Sequence, residues 1–149
     1  MTAWHGLTDP AFGAEVTSEE FFVKGGCHQL ALALVSTVEG SAVVAIYDSI
    51  SQDGLELDEP WLVHAGAMVG DAIIDVEGIH DRDIWIEAWA DQAREPSFVE
   101  WAPDEIPFEF TSPAHERFST AVASRLVAAL FSEPLPPRQA AIPSTAPLA

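Results

Sequence analysis

Gly70-Asp71 lies between two apolar runs, Trp61 to Val69 and Ala72 to Val76, and leaves the middle of the chain little choice. A glycine-led dipeptide between such runs closes a two-residue hairpin, because glycine supplies the positive φ that the tight turns require. If Val69 pairs with Ala72, then Gly66 faces Asp75 and His64 faces Glu77. Residues directly opposed across a hairpin share a face, as do alternate residues along each strand. His64 and Asp75 are therefore expected as diagonal neighbours on one face, with Gly66 between them offering no side chain to separate them. One more residue in the turn would send Asp75 to the other face.

The flanking sequence fills in the plan. Thr17 or Ser18 can cap a short helix whose first turn holds Glu19 and Glu20. Gly25-Gly26 ends it. A second helix is expected from about Cys27 to Val38, with Leu30, Ala31, Leu34, Val35 and Val38 on one stripe, and Gly40 stops it. Ala42 to Tyr47 reads as a buried strand, and the polar stretch Asp48 to Pro60 as a loop. Asp83 to Gln92 reads as a helix with Ile84, Trp85, Ala88 and Trp89 inward. Ser97 to Phe110 suggests short strands broken by prolines. Pro113 opens a last helix to about Phe131, with Phe118, Val122, Leu126 and Leu130 on its apolar face. A buried helix, an antiparallel meander and outer helices make an α+β fold. Residues 1–131 are expected to form one domain. Residues 132–149, with five of the eleven prolines and no apolar period, read as a disordered tail.

Charge narrows the functions. The chain carries 24 acidic and 6 basic side chains, a formal net charge of −18. Glu133 and Arg138 cancel in the tail, so all of it belongs to residues 1–131. Direct binding to nucleic acid or to an anionic membrane needs clustered Lys and Arg, and is excluded. Cys27 is the single cysteine, which excludes an intrachain disulfide or a cysteine-rich zinc site. Charges and glycines interrupt every apolar run well short of the roughly 20 residues of a membrane span. The first ten residues lack the basic start and apolar run of a signal peptide, so a cytoplasmic location is expected.

The chemistry gathers at Gly26-Cys27-His28. A thiol attacks as thiolate, and a helix N-terminus favours that charge through its free amides and dipole. Cys27 stands where the second helix should begin, and its own amide could serve an oxyanion. A base whose second nitrogen is held by a carboxylate is the general way to activate such a nucleophile, and His64 with Asp75 supplies one. Glu77, directly across from His64, is the rival orienter. Gly26, His28, Gln29, Glu77 and His80 are the candidate substrate-binding residues, His80 rimming the site from the loop after Asp75. Asp75, Glu77, His80, Asp81 and Asp83 fit no established metal spacing and read as a solvated acidic stretch, so no metal and no cofactor are expected.

Glycine then Cys at a helix start, His on a following strand and Asp on the next resembles the papain-like thiol hydrolase superfamily. The likeness covers about Phe21 to Gly78 and is greatest to the transglutaminase-like and arylamine acetyltransferase-like branches. It implies a Cys-bearing helix packed on an antiparallel sheet that carries His and Asp, with Cys27 as nucleophile, His64 as base and Asp75 as orienter. Where papain-like peptidases carry a Gln before the Cys, this chain has Phe21 and Phe22, and Gln29 is the alternative oxyanion donor. The expected function is a cysteine-dependent amidase, peptidase, deamidase or acyltransferase acting on a neutral or cationic group, such as a side chain of a protein substrate. The alternative is an acidic binding protein that mimics a nucleic acid surface toward a basic partner. Oligomeric state is left open by the sequence.

Overall fold

The computed structural model describes residues 4–13, 16–23 and 26–131. The proline-rich tail and Gly25 lie outside the described residues. Thr17 accepts the amide of Glu20 at the start of α1, Ser18–Val23. Its neighbour Ser18 is buried instead, and its hydroxyl donates to the Trp4 carbonyl. Helix α2, Cys27–Thr37, buries Cys27, Leu30, Ala31 and Leu34 along the expected stripe. Helix α4, Pro113–Phe131, spans the expected residues and buries Phe118, Val122 and Leu126.

Five antiparallel strands form one sheet. In chain order they are β1 (Ala42–Ile50), β2 (Glu56–Val69), β3 (Ala72–Asp75), β4 (Gly78–Asp81) and β5 (Pro96–Trp101). The spatial order is β4-β3-β2-β1-β5, a four-stranded meander with β5 added beside β1. The fold is α+β. Val69 pairs with Ala72, Met68 with Ile73 and Ala67 with Ile74, the register of the two-residue turn. Gly70 carries its positive φ, 59°, while no other residue type does so among those described.

Several expectations fail at particular places. The stretch Asp48 to Pro60 is mostly strand, since β1 runs on to Ile50 and β2 starts at Glu56. Acidic residues are tolerated there because that half of β2 is largely exposed. Gly78 to Asp81 is strand β4, where the sequence suggested a loop, and Ile73 pairs with His80. Helix α3, Arg82–Ala90, is capped by Asp81, which accepts the amides of Asp83 and Ile84. It turns Trp85, Ile86 and Trp89 inward, while Ile84 is 65% exposed and Ala88 is exposed too. Residues 108–110 form no strand.

The sheet has two distinct apolar faces. Val43, Ala45, Ala65, Ala67 and Ile74 meet α2 and α4. Val44, Ile46 and Ile73 meet Trp85 of α3. A bulge interrupts the alternation, because His64 pairs with Ile46 while the next pair is Leu62 with Tyr47, which leaves Val63 unmatched. Bulges re-aim side chains beside them, and this one immediately precedes His64.

Gly66 is required by packing. A Cβ there would lie 2.8 Å from Ile73 Cγ2, 3.0 Å from the Ile74 carbonyl oxygen and 3.4 Å from the Trp85 ring. The backbone oxygen cannot swing aside, so Gly66→Ala should cost about 1–3 kcal/mol, the usual range for overpacking. A lowered urea midpoint with an unchanged slope is the expected reading.

Candidate active site

Asp75 is 2% exposed, and a carboxylate so buried needs its charge answered by donors. Four answer it. Oδ2 accepts from His64 Nε2 at 3.0 Å and from Trp85 Nε1 at 2.9 Å. Oδ1 accepts from His80 Nε2 at 2.9 Å and from the Glu77 amide at 2.9 Å. Burial alone would push this carboxyl up, but the hydrogen bonds and charges of His64 and His80 hold it well below the usual range.

These contacts fix the roles of the neighbours. Glu77 contributes its backbone amide and keeps its side chain exposed, so it does not orient His64. His80 is not a loop residue on a rim; it sits on β4 and steadies the far oxygen of Asp75. Helical spacing alone marks Trp85 only as core, whereas its indole also donates to Asp75. Among the described residues no cluster of His, Cys, Asp and Glu is arranged to hold a metal ion.

His64 is 1% exposed. Its ring stacks on Trp89 with centroids 3.8 Å apart and planes 22° apart, and Trp85 lies 5.7 Å away. Since Nε2 is bound to Asp75, Nδ1 is the nitrogen left for Cys27, and it has no hydrogen-bond partner among the described residues. The thiol and this ring perturb each other although their contact falls short of full hydrogen-bond geometry. Burial pushes the Cys27 thiol up, yet His28, His64 and the Ala65 amide bring it down to about 7. Burial pushes His64 down, yet Asp75 and Cys27 raise it to about 9. A thiolate–imidazolium pair is thus favoured between those two values.

The three groups do not share a face of the sheet. His64 and Asp75 stand on the α3 side with Ile46, Ile73 and Trp85, whereas Cys27 packs among Ala31, Val43, Ala45 and Ala65 on the α2 side. They meet where β3 ends. Its pairing with β2 stops at Ala67, so Ala65 has no β3 partner, and its amide is among the groups that lower the thiol. The space between Cys27, Ala65, Gly66 and Asp75 is too small for a water molecule. Tyr47, beside the sulfur, has its phenol pushed up by burial and by the thiolate charge.

Gln29 does not supply an oxyanion donor. It is 1% exposed, and its amide is committed to Glu109 and Thr111. The Cys27 amide, in the first turn of α2, has no acceptor among the described residues. An open cleft of about 470 Å³ runs past this helix end, lined by Glu20, Phe21, Gly26, His28, Thr111 and His115 among others. Cys27 itself, 5% exposed, does not line it, but the residues on either side do. Gly26 must lack a side chain, for a Cβ would lie 2.6 Å from the Phe21 ring. Comparison with protein families, with curated proteins and with solved structures finds no match.

Asp75→Asn would set an NH2 group against two of the four donors, since each oxygen accepts two. The expected loss is about 3 kcal/mol at pH 7 in urea denaturation, the order seen when one member of a buried pair is removed. Because the folded carboxyl titrates below its unfolded value, its contribution is present above about pH 4 and fades as pH falls through the folded value. The gap between wild type and variant should therefore shrink in acid.

Proposed function

We propose that the protein is a cysteine-dependent acyl-group hydrolase or transferase of papain-like type, with Cys27 as nucleophile, His64 as acid and base, and Asp75 as orienter. The observation that carries this reading is the file of groups itself. Asp75 holds His64 Nε2 at 3.0 Å, and the buried, unpartnered Nδ1 is left for the one thiol in the chain. A histidine satisfied merely for stability would not leave that nitrogen orphaned beside a thiol brought down to about 7.

The chemistry follows from the protonation states. The Cys27 thiolate forms a bond to an amide carbonyl carbon, and the π electrons move to oxygen near the free amide of Cys27. As the intermediate collapses, the C–N bond breaks and the proton on His64 Nδ1 goes to the departing amine. The thioester is then attacked by water or by a second amine, whose proton passes to Nδ1, and the C–S bond breaks to restore the thiolate. Asp75 keeps Nε2 protonated throughout, so the ring exchanges protons only on the sulfur side. The cleft beside Gly26 and His28 would hold the acyl group. The net charge of −18 favours a neutral or cationic substrate, for which a carboxamide or a basic peptide segment qualifies.

Iodoacetamide labelling followed across pH tests the pairing, because Cys27 is the only site. The rate should rise with a midpoint near 7, and His64→Ala should move that midpoint to or above the ordinary thiol value of about 8.5. A wild-type midpoint already at the ordinary value, unmoved in His64→Ala, would remove the enzyme.

A further inference from the structure

A thiol that attacks a carbonyl has to be reached by it, and Cys27 is shut in. It is 5% exposed and stands outside the cleft that its two chain neighbours line. Most of its cover is firmly held. Ala31 belongs to α2, while Val43, Tyr47 and Ala65 are fixed in the β1–β2 ladder. Helix α1 is tied by the amides of Ser18 and Glu19, which donate to the carbonyls of Leu7 and His5 at 2.8 and 3.2 Å. The remaining cover is Ile106 and Phe108. Residues 106–111 belong to no helix or strand and make no backbone–backbone hydrogen bond among the described residues. One side chain holds them instead. Gln29 of α2, 1% exposed, accepts the Thr111 amide at 3.2 Å, and its NH2 group donates to the Glu109 carbonyl at 3.1 Å and to the Thr111 hydroxyl at 3.2 Å. Phe108 adds apolar contact, its ring centroid 5.3 Å from that of His28 and 5.3 Å from that of Trp101. The ends are anchored, since Glu105 donates its amide to the Ala102 carbonyl at 2.9 Å and Ser112 accepts the His115 amide at 3.2 Å where α4 begins.

We propose that residues 106–111 are a lid over Cys27, pinned shut by Gln29, and that the acyl substrate reaches the sulfur when the lid lifts between its anchored ends. As the lid of an active site it rests on the reading of Cys27 as nucleophile. Segments that move in function come from the least stable parts of a fold, and a stretch bonded through its backbone to a single side chain is such a part. Lifting it takes Ile106 and Phe108 away from the cluster that holds the sulfur, and Phe108 away from the His28 ring. Gln29 and Thr111 line the cleft as well, so release of the pin opens the cleft wall itself toward the thiol. When closed, the lid keeps water from the thiolate–imidazolium pair, whose mutual attraction is stronger for its exclusion. A buried glutamine whose amide is committed to residues 109 and 111 is thereby accounted for.

The test follows two events in the full chain that the lid makes one. The first is the reaction of Cys27 with dithiodipyridine, an uncharged aromatic disulfide, at a pH above the thiol midpoint. The second is deuterium exchange of the Thr111 amide, read by NMR. Wild-type Cys27 should react at least about fiftyfold more slowly than a peptide thiol, whereas its lower basicity accounts for only about fivefold. Gln29→Met keeps the length of the side chain and removes all three bonds, and should speed the thiol at least about tenfold. Phe108→Ala touches neither Gln29 nor Thr111, yet it should speed the thiol and the Thr111 amide together, each by about tenfold, the size expected for a half-buried aromatic. Amides of β1 should keep their protection in both variants, which separates lifting of the lid from unfolding. If Gln29→Met does not fold by circular dichroism, Phe108→Ala carries the test alone. A wild-type thiol slowed no more than its basicity explains, a thiol rate unmoved in the variants, or a Thr111 amide unmoved in Phe108→Ala overturns the lid. The nucleophile is judged apart from these rates, by the midpoint of the thiol reaction against pH and its displacement in His64→Ala.

Discussion

A buried carboxylate organises this molecule. Asp75 draws one donor from β2, one from the turn after β3, one from β4 and one from α3. An isolated charge at that depth would be severely destabilising, so the four elements are held to the positions in which they satisfy it. Specificity follows from the count of oxygens and donors. Each oxygen takes two, which leaves none for water and none for a second cation. The carbonyl of the next residue, Val76, is in turn held by the indole of Trp4 and by His5 Nε2 at 2.7 Å, which ties the N-terminal segment to the same corner. Arg117 of α4 grips Asp9 through two bonds, 2.9 and 2.8 Å, and closes that segment down on the other side.

The short length of β3 is what turns this corner into a site. Were β3 to continue beyond Asp75, its backbone would take the β2 amides near Ala65 and wall off His64 from α2. Ending it there leaves an amide and an imidazole edge facing the start of a helix that carries a thiol. The sulfur thus occupies a place where a strand would otherwise supply a carbonyl. This accounts for its burial and for the mixed character of its surroundings, apolar toward Ala31 and Val43 and polar toward the two histidines and the Ala65 amide. It also changes the arrangement implied by the papain-like resemblance. The helix does pack on the sheet, but the histidine and aspartate belong to the opposite face and reach the thiol past a strand end.

Features carried by local chemistry were legible in the sequence. Gly70-Asp71 announces its hairpin because few residues can take a positive φ, and the register of that hairpin follows from its turn length. Pro113 and the spacing of Phe118, Val122 and Leu126 mark α4 equally well. What escaped notice depends on partners far along the chain. Gly78–Asp81 is too short and polar to look like a strand, and it pairs because Ile73 and Ile74 offer an edge. Yet a signal was present. Val76-Glu77 followed by Gly78 can close a second two-residue turn, and that hairpin places His80 opposite Ile73, on the face of Asp75. In α3 the sequence pattern includes Ile84 in the apolar stripe, whereas the helix capped by Asp81 turns Ile86 inward and Ile84 outward. Gln29 had no local mark at all, since its partners are 80 and 82 residues away.

The acidity of the chain and the lowered thiol pull in opposite directions, and distance reconciles them. A net charge of −18 disfavours any further anion, so a thiol in the mean field of this protein would be pushed up. Charges on exposed side chains act through water and salt, with a screening length of about 8 Å at physiological ionic strength. The groups that touch the sulfur act across a contact distance in a space too small for water, where screening is weakest. His64 is an imidazolium there only because Asp75 stands behind it, and Asp75 stays ionised only because four donors surround it. The local chain of donors therefore outweighs eighteen distant charges. The same reasoning limits what those charges can do: they bias which molecules approach the cleft, while the state of the Cys27 thiol is set within the corner itself.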